Sequence, residues 1–563
     1  MIDLNERYQE KNNFFKRIAL LYVFFGFLFL LFLYRTFTLQ ISSYTDYELA
    51  SIENKTKEML IQPKRGIIYD RNGEIIVNNV PNYSLITKPS QIGNIESHIE
   101  AIKVFIDISD DDALYAKENY KRIAKLNREL TLKNNLTMEE IARFETRRHK
   151  FPNTFIDERY SRFTLYPELF SHSIGYVGNL NDDDLEQILH EQNLKPKETI
   201  FVYSNGYIRG MTGIENIYDK KLRGTYGKKV YEVDAAGKLL NEIEIIPSIN
   251  GEDLYTSLDI ESQKVAFDQL NNRRGAVVAV EIDTGSIVTY ISSPSFPLNR
   301  IANGMSVTDF NKLLNDTDKP FFDRAGQGRY SPASTIKPAI GLFGIENEII
   351  DWNFTINDPG FFILPEDNRV YRGWKKGGHG EINLKEAIIE SSNTFFFSLA
   401  YESEIEQLVE HLSYFGFGRN VCIDCFLPDK GLLPNPEWKM NTLNFSWFKG
   451  DTVNLGVGQG YLSATPLQLA YYSAFLAKKG ELNKFSFVQQ DIDASVDTFI
   501  SKNINNDDWK RLHESMIDVI DSPKGTAGRL RNLKDFTVAA KSGTVELVST
   551  ETKEDYKIIR ETE

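Results

Sequence analysis

A serine and a lysine lie three positions apart in the segment GRYSPASTIKPAIG, as Ser334 and Lys337. Pro338 follows directly, and proline is tolerated in a helix mainly in its first turn, where the N–H groups lack an intrahelical partner. The segment therefore predicts a helix that begins near Ser334, with both side chains on one face. A neutral lysine amine beside a serine hydroxyl can take its proton, and the helix N-terminus favours the negative charge that develops. An ordinary helix start with a chance S-x-x-K stays open at this point.

Two further short motifs follow in the chain. Ser391 and Asn393 form an S-x-N motif just before the apolar run TFFFSLA, which predicts a helix edge. The sequence KSGT at 541–544 lies within FTVAAKSGTVELV, whose β-branched residues predict a strand. Each motif alone is a weak signal. The three together, in this order and on a helix start, a helix edge and a strand, indicate a serine acyl-transfer site.

An apolar segment near the N-terminus predicts a membrane helix. Residues 18–34 contain no charged side chain, and Lys16 and Arg17 precede them. A helix of this length nearly crosses the hydrocarbon core of a bilayer, and the basic flank places the N-terminus in the cytoplasm. A cleaved signal peptide is the alternative, but the following segment YRTFTLQ lacks a small-x-small cleavage site. We expect a cytoplasmic tail at residues 1–13 and a single transmembrane anchor at 14–36.

The composition bounds the remaining possibilities. A net charge of −14 and a pI near 5.3 argue against a nucleic-acid partner. Residues 37–250 carry short β-runs and amphipathic helices and predict a non-catalytic domain. A boundary follows near residues 246–263, where a helix capped by Ser257 or Asp259 begins. Residues 257–563 combine a hairpin around an Asp-Thr-Gly turn with several helices, so the predicted fold class is α+β.

Two other residue types could carry chemistry. Cys422 and Cys425 are the chain's only cysteines, and their C-x-x-C spacing suits a redox pair, half a metal site or two small strand residues. No second Cys/His cluster lies nearby, which favours the structural interpretation, although an outward-facing compartment permits a disulfide. A turn or packing role is favoured for His379, in GGHGE, over catalysis.

The resemblance to a known family extends over nearly the whole chain. The segments RGIIYDRNG, GYVG, GIENIYDKKLRG and AVVAVEIDTGSIVTYISSPSF precede the first motif, and DPGFFILPEDNRVYRGWKKGGHG and GDTVNLGVGQGYLSATPLQLA follow it. With the three motifs, they make the sequence resemble the class B penicillin-binding proteins. The WKKGGHG stretch favours the elongation type over the septal type. The resemblance implies a β-rich pedestal, or dimerisation domain, followed by a serine transpeptidase domain with an antiparallel sheet and helices.

The resemblance also implies an activity, peptidoglycan D,D-transpeptidation, and a role for each motif. Ser334 would be the nucleophile, Lys337 the base for acylation, and Ser391 a proton relay to the leaving amine. Asn393 would bind a substrate amide. The terminal carboxylate of the substrate would be held by a lysine and two hydroxyl groups, those of Lys541, Ser542 and Thr544.

Partners and cofactors follow from the same resemblance. The expected partners are stem peptides ending in D-Ala-D-Ala, β-lactams, the inner membrane, a SEDS-type glycosyltransferase and scaffold proteins of the rod complex. No cofactor is expected, and the catalytic domain would be periplasmic. Some family members bind zinc through two Asp, one His and one Cys. This chain has Asp358 and His379 at two of those positions but Gly373 and Ser392 at the others, so no zinc is predicted.

A second departure concerns the C-terminus, and it leaves rival functions open. The family continues beyond the KSGT strand with further strands and a helix, so a C-terminally truncated chain, with uncertain activity, is expected. A β-lactamase or a carboxypeptidase would use the same serine. An inactive scaffold or regulator of a membrane glycosyltransferase is a further possibility, and so is a septal-type transpeptidase.

Overall fold

The structure is a computed structural model that describes residues 4–43, 55–61, 63–125, 129–179, 182–191, 208–233, 239–302, 304–488, 496–498, 503–533 and 535–545. The chain divides into two compact units. Unit 1 takes its described residues from Met1–Pro63, Asp183–Asn205 and Thr225–Ile249, and unit 2 from Lys64–Asp182, Gly206–Gly224 and Asn250–Glu563. Residues of the predicted pedestal, 37–250, therefore contribute to both units.

The α-helices of the described residues are numbered in chain order. They are α1 (Leu4–Phe37), α2 (Ile95–Lys103), α3 (Asp110–Lys125), α4 (Met138–Glu145), α5 (Asp182–Glu191), α6 (Gly213–Ile217), α7 (Asp219–Arg223), α8 (Ile260–Leu270), α9 (Leu298–Ala302), α10 (Val307–Leu314), α11 (Lys337–Glu346), α12 (Leu384–Ile389), α13 (Asn393–Tyr401), α14 (Ile405–Tyr414), α15 (Pro436–Leu443), α16 (Lys449–Leu455), α17 (Pro466–Ala477) and α18 (Asn506–Asp521).

The strands are short, apart from two long ones in the N-terminal half. They are β1 (Thr56–Ile61), β2 (Ile68–Tyr69), β3 (Ile75–Thr87), β4 (Leu130–Lys133), β5 (Thr154–Thr164), β6 (Val177–Asn179), β7 (Ile208–Gly210), β8 (Gly227–Val233), β9 (Leu239–Ile246), β10 (Leu254–Tyr255), β11 (Gly275–Glu281), β12 (Ser286–Ser293), β13 (Thr355–Asp358), β14 (Phe361–Ile363), β15 (Val370–Arg372), β16 (Gly380–Asn383), β17 (Glu481–Asn483) and β18 (Val496–Thr498).

Unit 1 contains the apolar helix α1 and a three-stranded antiparallel sheet in the order β1-β8-β9. Within the described part of the chain, Lys11–Ile41 is the one helical segment long and apolar enough to cross a membrane. It covers the predicted anchor at residues 14–36. The orientation of this helix in a membrane stays a prediction.

The first part of unit 2 is a five-stranded sheet with helices packed against it. Its order is β10-β2-β3-β4, and β5 pairs with β3 along the other edge. The helices α2 to α4 are amphipathic, as predicted, and bury Ile99, Ile102 and Phe144 in a core with Leu85 and Leu130. β2 and β3 pair antiparallel around the turn at 70–73, and β3 is thirteen residues long, longer than the short β-runs predicted for this region.

A buried ion-pair network joins separate segments of unit 2. Arg65 donates to the Glu215 carboxylate over 2.7 Å, and Arg162 donates to it over 2.6 Å. Arg65 also donates to Asp219 over 2.8 Å. Burial raises the pKa of Glu215, but the two guanidinium groups outweigh this effect and hold the pKa below its usual range. Because removing one partner leaves an unpaired buried charge, this network fixes residues 213–223 against the start of the sheet.

The second part of unit 2 is built around α11. This helix is hydrophobic on all sides, and its residues from Lys337 to Gly344 are buried against α13 and α14. The predicted hairpin is β11 and β12, and the predicted cap is correct, since Asp259 accepts a hydrogen bond from the Ser262 N–H at the start of α8. Ile68, Phe170 and Ile214 belong to the same continuous core as α11, so the sheet region and the helical region of unit 2 pack as one body.

The two cysteines do not behave as unpaired strand residues. Cys422 and Cys425 form a disulfide, which corrects the structural interpretation favoured from the sequence. The turn that it closes places the buried carboxylate of Asp424 against the N–H groups of Phe487 and Val488, 2.8 Å and 3.1 Å away. Cys422, Asp424 and Cys425 have the spacing of metal ligands, but both sulfur atoms are used in the disulfide.

Candidate active site

Ser334 lies where the sequence predicts it, in the first turn of a buried helix. A 3₁₀ turn, Ala333–Ile336, leads directly into α11, and Pro338 lies in the first turn of that helix. Ala333 has a φ of 48°, a left-handed conformation that costs free energy at a residue other than glycine. Gly458 makes this conformation possible, because a Cβ at Gly458 would lie only 2.1 Å from the Ala333 carbonyl oxygen. The close packing of Gly458 on Ala333 therefore holds the turn that carries the half-buried Ser334.

Lys337 is fully buried and points at the S-x-N motif. Its Nζ donates to Asn393 Oδ1 over 2.7 Å and to the Ser391 carbonyl over 2.9 Å, and it lies 3.4 Å from Ser391 Oγ. Burial, together with the charge of Lys541, holds the pKa of Lys337 well below its usual range, and the carboxylate of Asp358 opposes this only in part. A neutral amine has two N–H groups, which these two acceptors satisfy, and one lone pair that remains free to accept a proton.

The S-x-N motif forms a tight turn between α12 and α13. Ser391 has a φ of 56°, which again places a residue other than glycine in the left-handed region. Ser392 caps α13 by accepting a hydrogen bond from the Phe395 N–H over 3.2 Å. The turn thereby brings the Ser391 hydroxyl and the Asn393 amide to the same lysine.

The KSGT segment completes the cluster from the far end of the chain. Lys541 Nζ donates to Ser391 Oγ over 2.9 Å, and burial lowers the pKa of Lys541 to about 7. Gly543 packs directly on the Ser334 turn, since a Cβ there would lie 2.8 Å from Thr335 Cγ2. The Thr544 side chain is exposed. The structure thus brings Ser334, Lys337, Ser391, Asn393 and the 541–544 segment to one place.

The prediction of a strand around KSGT is wrong for the part of this segment that the structure describes. Residues 537–545 belong to no strand, and the Ala540 N–H donates to the Met516 carbonyl of α18 instead of to a neighbouring strand. In the described residues β11 and β12 form a two-stranded sheet, and no named strand pairs with either of them besides the other. β-branched residues favour an extended backbone, but a strand also requires a ladder partner, and no sequence pattern supplies one. Residues 546–548 of the predicted strand lie outside the described residues.

A buried carboxylate, which the sequence analysis considered only as a possible zinc ligand, holds the Ser391 turn. Asp358, at the end of β13, accepts hydrogen bonds from Ser392 Oγ over 2.7 Å, from His379 Nδ1 over 2.6 Å and from the Gly360 N–H over 2.7 Å. Burial raises the pKa of Asp358, but these hydrogen bonds outweigh it and leave the pKa below its usual range. The contact with Asp358 supports the turn or packing role for His379, which stays a prediction. Its sequence signal is only the glycine-rich turn GGHG.

This arrangement does not suit a zinc ion. Asp358 lies on the Nδ1 edge of His379, whereas the Glu390 carboxylate lies 3.9 Å from Nε2 on the opposite edge. Gly373 offers no ligand atom, and the Ser392 hydroxyl already donates to Asp358. The candidate ligand atoms do not converge on one centre.

Five more residues surround the site, and the sequence assigns a role to none of them. Glu390 precedes Ser391, and its carboxylate lies 3.2 Å from both Lys375 Nζ and Lys524 Nζ. Trp374 Nε1 donates to the carbonyl groups of Glu390 and Ser391 over 3.3 Å and 3.2 Å. Thr526 is also part of this surround, because its hydroxyl lies 2.7 Å from Ser542 Oγ. No spacing rule connects these residues, since they come from three separate segments.

Comparison with known proteins agrees with this geometry. Residues 275–559 match the model of the penicillin-binding protein transpeptidase domain, and residues 60–256 match the penicillin-binding protein dimerisation domain. The chain is 36% identical over 518 residues to the peptidoglycan D,D-transpeptidase MrdA of Acinetobacter baumannii, an alignment that covers 91% of this chain and 75% of that protein. It is 32% identical to the MrdA of Escherichia coli, with 92% and 82% covered.

Solved structures give the same result. The penicillin-binding protein PBP2 of Helicobacter pylori, in its complex with MreC, aligns with a TM-score of 0.76 and 28% identity, over 87% of this chain and 90% of that one. The PBP2 of Pseudomonas aeruginosa aligns with a TM-score of 0.66 and 29% identity, over 87% and 86%. With a serine–lysine pair, an S-x-N turn and a KSGT segment converging in the matched domain, this chain belongs to the penicillin-binding proteins that carry a dimerisation domain and a transpeptidase domain.

Proposed function

We propose that this chain crosslinks peptidoglycan during cell elongation, as a D,D-transpeptidase that acts through an acyl-enzyme on Ser334. The observation that carries the proposal is the environment of Lys337, whose buried amine has both N–H groups satisfied by the S-x-N turn and a depressed pKa. The MrdA relatives support the elongation role over the septal alternative. The convergence of all three motifs also argues against an inert scaffold.

The proposed acylation step gives a role to each of the site residues. Lys337 accepts the hydroxyl proton as Ser334 Oγ attacks the carbonyl carbon of the penultimate D-Ala. The N–H groups of Ser334 and Thr544 stabilise the oxyanion, and one such donor is typically worth about 10²–10³ in rate. The peptide C–N bond then breaks, and the leaving D-Ala receives its proton through Ser391.

Substrate recognition uses the remaining polar groups. Lys541, with the hydroxyl groups of Ser542 and Thr544, holds the terminal carboxylate, and Asn393 binds an amide of the donor peptide. An acceptor amine then attacks the Ser334 ester and forms the crosslink. Water in place of the amine gives carboxypeptidase activity, and a β-lactam gives a stable acyl adduct.

The apolar helix of unit 1 and the relatives support the proposed setting of the reaction. The apolar helix α1 anchors the chain in the inner membrane with its N-terminus in the cytoplasm and its catalytic domain in the periplasm. A SEDS-type glycosyltransferase and a rod-complex scaffold are the expected partners, and the solved complex of the Helicobacter pylori relative with MreC supports the second of these.

Labelling of the full chain in detergent with a fluorescent penicillin tests this proposal. We expect covalent labelling of the unaltered protein, complete loss of labelling in Ser334→Ala, and full labelling in Ser473→Ala, which removes an exposed hydroxyl on α17. Labelling that survives in Ser334→Ala would refute the assignment of the nucleophile. Rapid turnover of the penicillin would indicate a β-lactamase instead.

A further inference from the structure

Two lysines beside the Ser391 turn have no part in the proposed mechanism. Lys375 Nζ and Lys524 Nζ each lie 3.2 Å from one oxygen of the Glu390 carboxylate, which is 7% exposed. The lysine side chains themselves are 41% and 67% exposed. We call Lys375 and Lys524 the lysine rim. It carries two ammonium groups for one carboxylate and faces solvent.

The two segments that carry the lysine rim contact the Ser391 turn and the KSGT segment. Trp374, next to Lys375, donates its indole N–H to the carbonyl groups of Glu390 and Ser391. Lys524 lies two residues before Thr526, whose hydroxyl contacts Ser542 in the KSGT segment. The rim is therefore joined to the Ser391 turn through Glu390 and Trp374, and to the KSGT segment through the residues around Thr526.

The charges of the lysine rim are not fully used within the described residues. Hydrogen bonds from Lys524 and Lys375 outweigh the effect of burial and hold the pKa of Glu390 below its usual range, so this carboxylate is ionised. Each ammonium group has three N–H donors, and the contact with Glu390 uses one of them. Donors remain for a second carboxylate, and the rim keeps a net positive charge that attracts an anion.

We propose that the lysine rim is a subsite for a carboxylate of the acceptor, which is the amine that takes the acyl group from Ser334. This inference rests on the proposed function. By microscopic reversibility, the acceptor amine enters past the same Ser391 hydroxyl by which the first amine left. Its nitrogen forms the new amide bond, the ester bond to Ser334 Oγ breaks, and the amine proton returns to Ser334 Oγ. The carboxylate beside the amine meets Lys541, and a second carboxylate further along the acceptor meets the rim.

A matched pair of acceptors tests this subsite. The full chain in detergent is given an N-acyl-D-alanyl thioester as donor, with D-glutamate or D-glutamine as acceptor, and the two transfer products are quantified by mass spectrometry. We expect transfer to D-glutamate to be about fivefold faster, since exposed charge pairs are individually weak. Lys375→Gln and Lys524→Gln each reduce this ratio about twofold, and the double variant brings it near one. High salt also reduces the ratio.

The control is Lys376→Gln, which removes the same charge from the exposed neighbouring residue and should leave the ratio unchanged. Because both acceptors are measured on one preparation, a loss of folded protein lowers both rates and cancels in the ratio. A ratio near one in the unaltered protein, or an equal effect of all three single variants, would overturn the subsite. Penicillin labelling without transfer to either acceptor would overturn the subsite and leave acylation standing. Absence of both penicillin labelling and acyl transfer would overturn the proposed function as well.

Discussion

An Asp358→Asn substitution removes one charge from beneath the Ser391 turn and keeps the size of the side chain. In the unaltered protein the carboxylate accepts hydrogen bonds from Ser392 Oγ, His379 Nδ1 and the Gly360 N–H. Asparagine has one oxygen, and its NH₂ group donates rather than accepts. At least one of the three buried donors must therefore lose its partner.

The size of the effect follows from that loss. An unsatisfied buried donor costs about 1–3 kcal/mol, and the hydrogen bonds that remain lose the contribution of the negative charge. We expect Asp358→Asn to lower the free energy of unfolding by about 2–4 kcal/mol, and the melting temperature by about 5–10 °C in a domain of this size. Asp351→Asn is the matched control, because Asp351 is exposed and its side chain accepts a hydrogen bond from the Asn353 N–H two residues away.

Thermal unfolding at several pH values measures this effect and its sign. The pKa of Asp358 is lower in the folded protein than in the unfolded chain, so its stabilising contribution is complete above about pH 4 and is lost as the pH falls through the folded-state pKa. The difference in melting temperature between the unaltered protein and Asp358→Asn should therefore shrink in acid. A melting temperature equal to that of Asp351→Asn, or a difference that is the same at every pH, would contradict this account.

We expect Asp358→Asn also to change the pH dependence of the acylation rate. The negative charge of Asp358 partly opposes the lowering of the Lys337 pKa. Without that charge, Lys337 becomes neutral at a lower pH, so the acid limb of the penicillin acylation rate should move to lower pH. An acid limb that stays in place, measured on the fraction of protein that remains folded, would mean that Asp358 does not act on Lys337.

Three further substitutions test other parts of the site. The second-order acylation rate for a substrate with a free carboxylate should fall above about pH 7 as Lys541 loses its proton. Lys541→Arg should move this alkaline fall in rate to higher pH, because arginine stays charged. A fall that stays at the same pH would mean that another group causes it. Replacing Cys422 and Cys425 by alanine should lower the free energy of unfolding by about 2 kcal/mol, the value for so short a loop, and reductant should then have no effect on the melting temperature. Gly543→Ala should slow acylation about tenfold, because its methyl group meets Thr335 Cγ2 at 2.8 Å, and adding Thr335→Ser should restore part of the rate; no rescue would place the strain elsewhere.

The local parts of the site could be predicted from the sequence. Pro338 marks a helix start because of its missing N–H, and this alone places Ser334 at the start of the helical segment, in the 3₁₀ turn that leads into α11. Asp259 likewise marks the start of α8 through its capping side chain. These features depend on residues a few positions apart, so a pattern in the sequence contains all the information that is needed.

The parts that depend on distant segments could not be predicted in this way. The contacts of Asp358 with Ser392, and of Glu390 with Lys524, join separate segments of the chain that no periodicity relates. The strand expected around Lys541 is absent for the same reason, because β-propensity describes a residue's fit to a sheet but does not supply the neighbouring strand. The spacing of Cys422 and Cys425 does not by itself indicate their disulfide, since it suits several structures.

The two lysines of the site show why burial, rather than residue type, decides their roles. Lys337 and Lys541 both contact Ser391, and two ammonium groups so close together repel each other, so the more deeply buried amine loses its proton first. Lys337 is fully buried and feels the charge of Lys541, whereas Lys541 titrates near neutral pH through burial alone. One lysine can therefore act as the base while the other carries the charge that a carboxylate requires. It also follows that removing the charge of Lys541 has two separable effects, weaker binding of the carboxylate and a higher pKa at Lys337, of which only the second moves the acid limb of acylation.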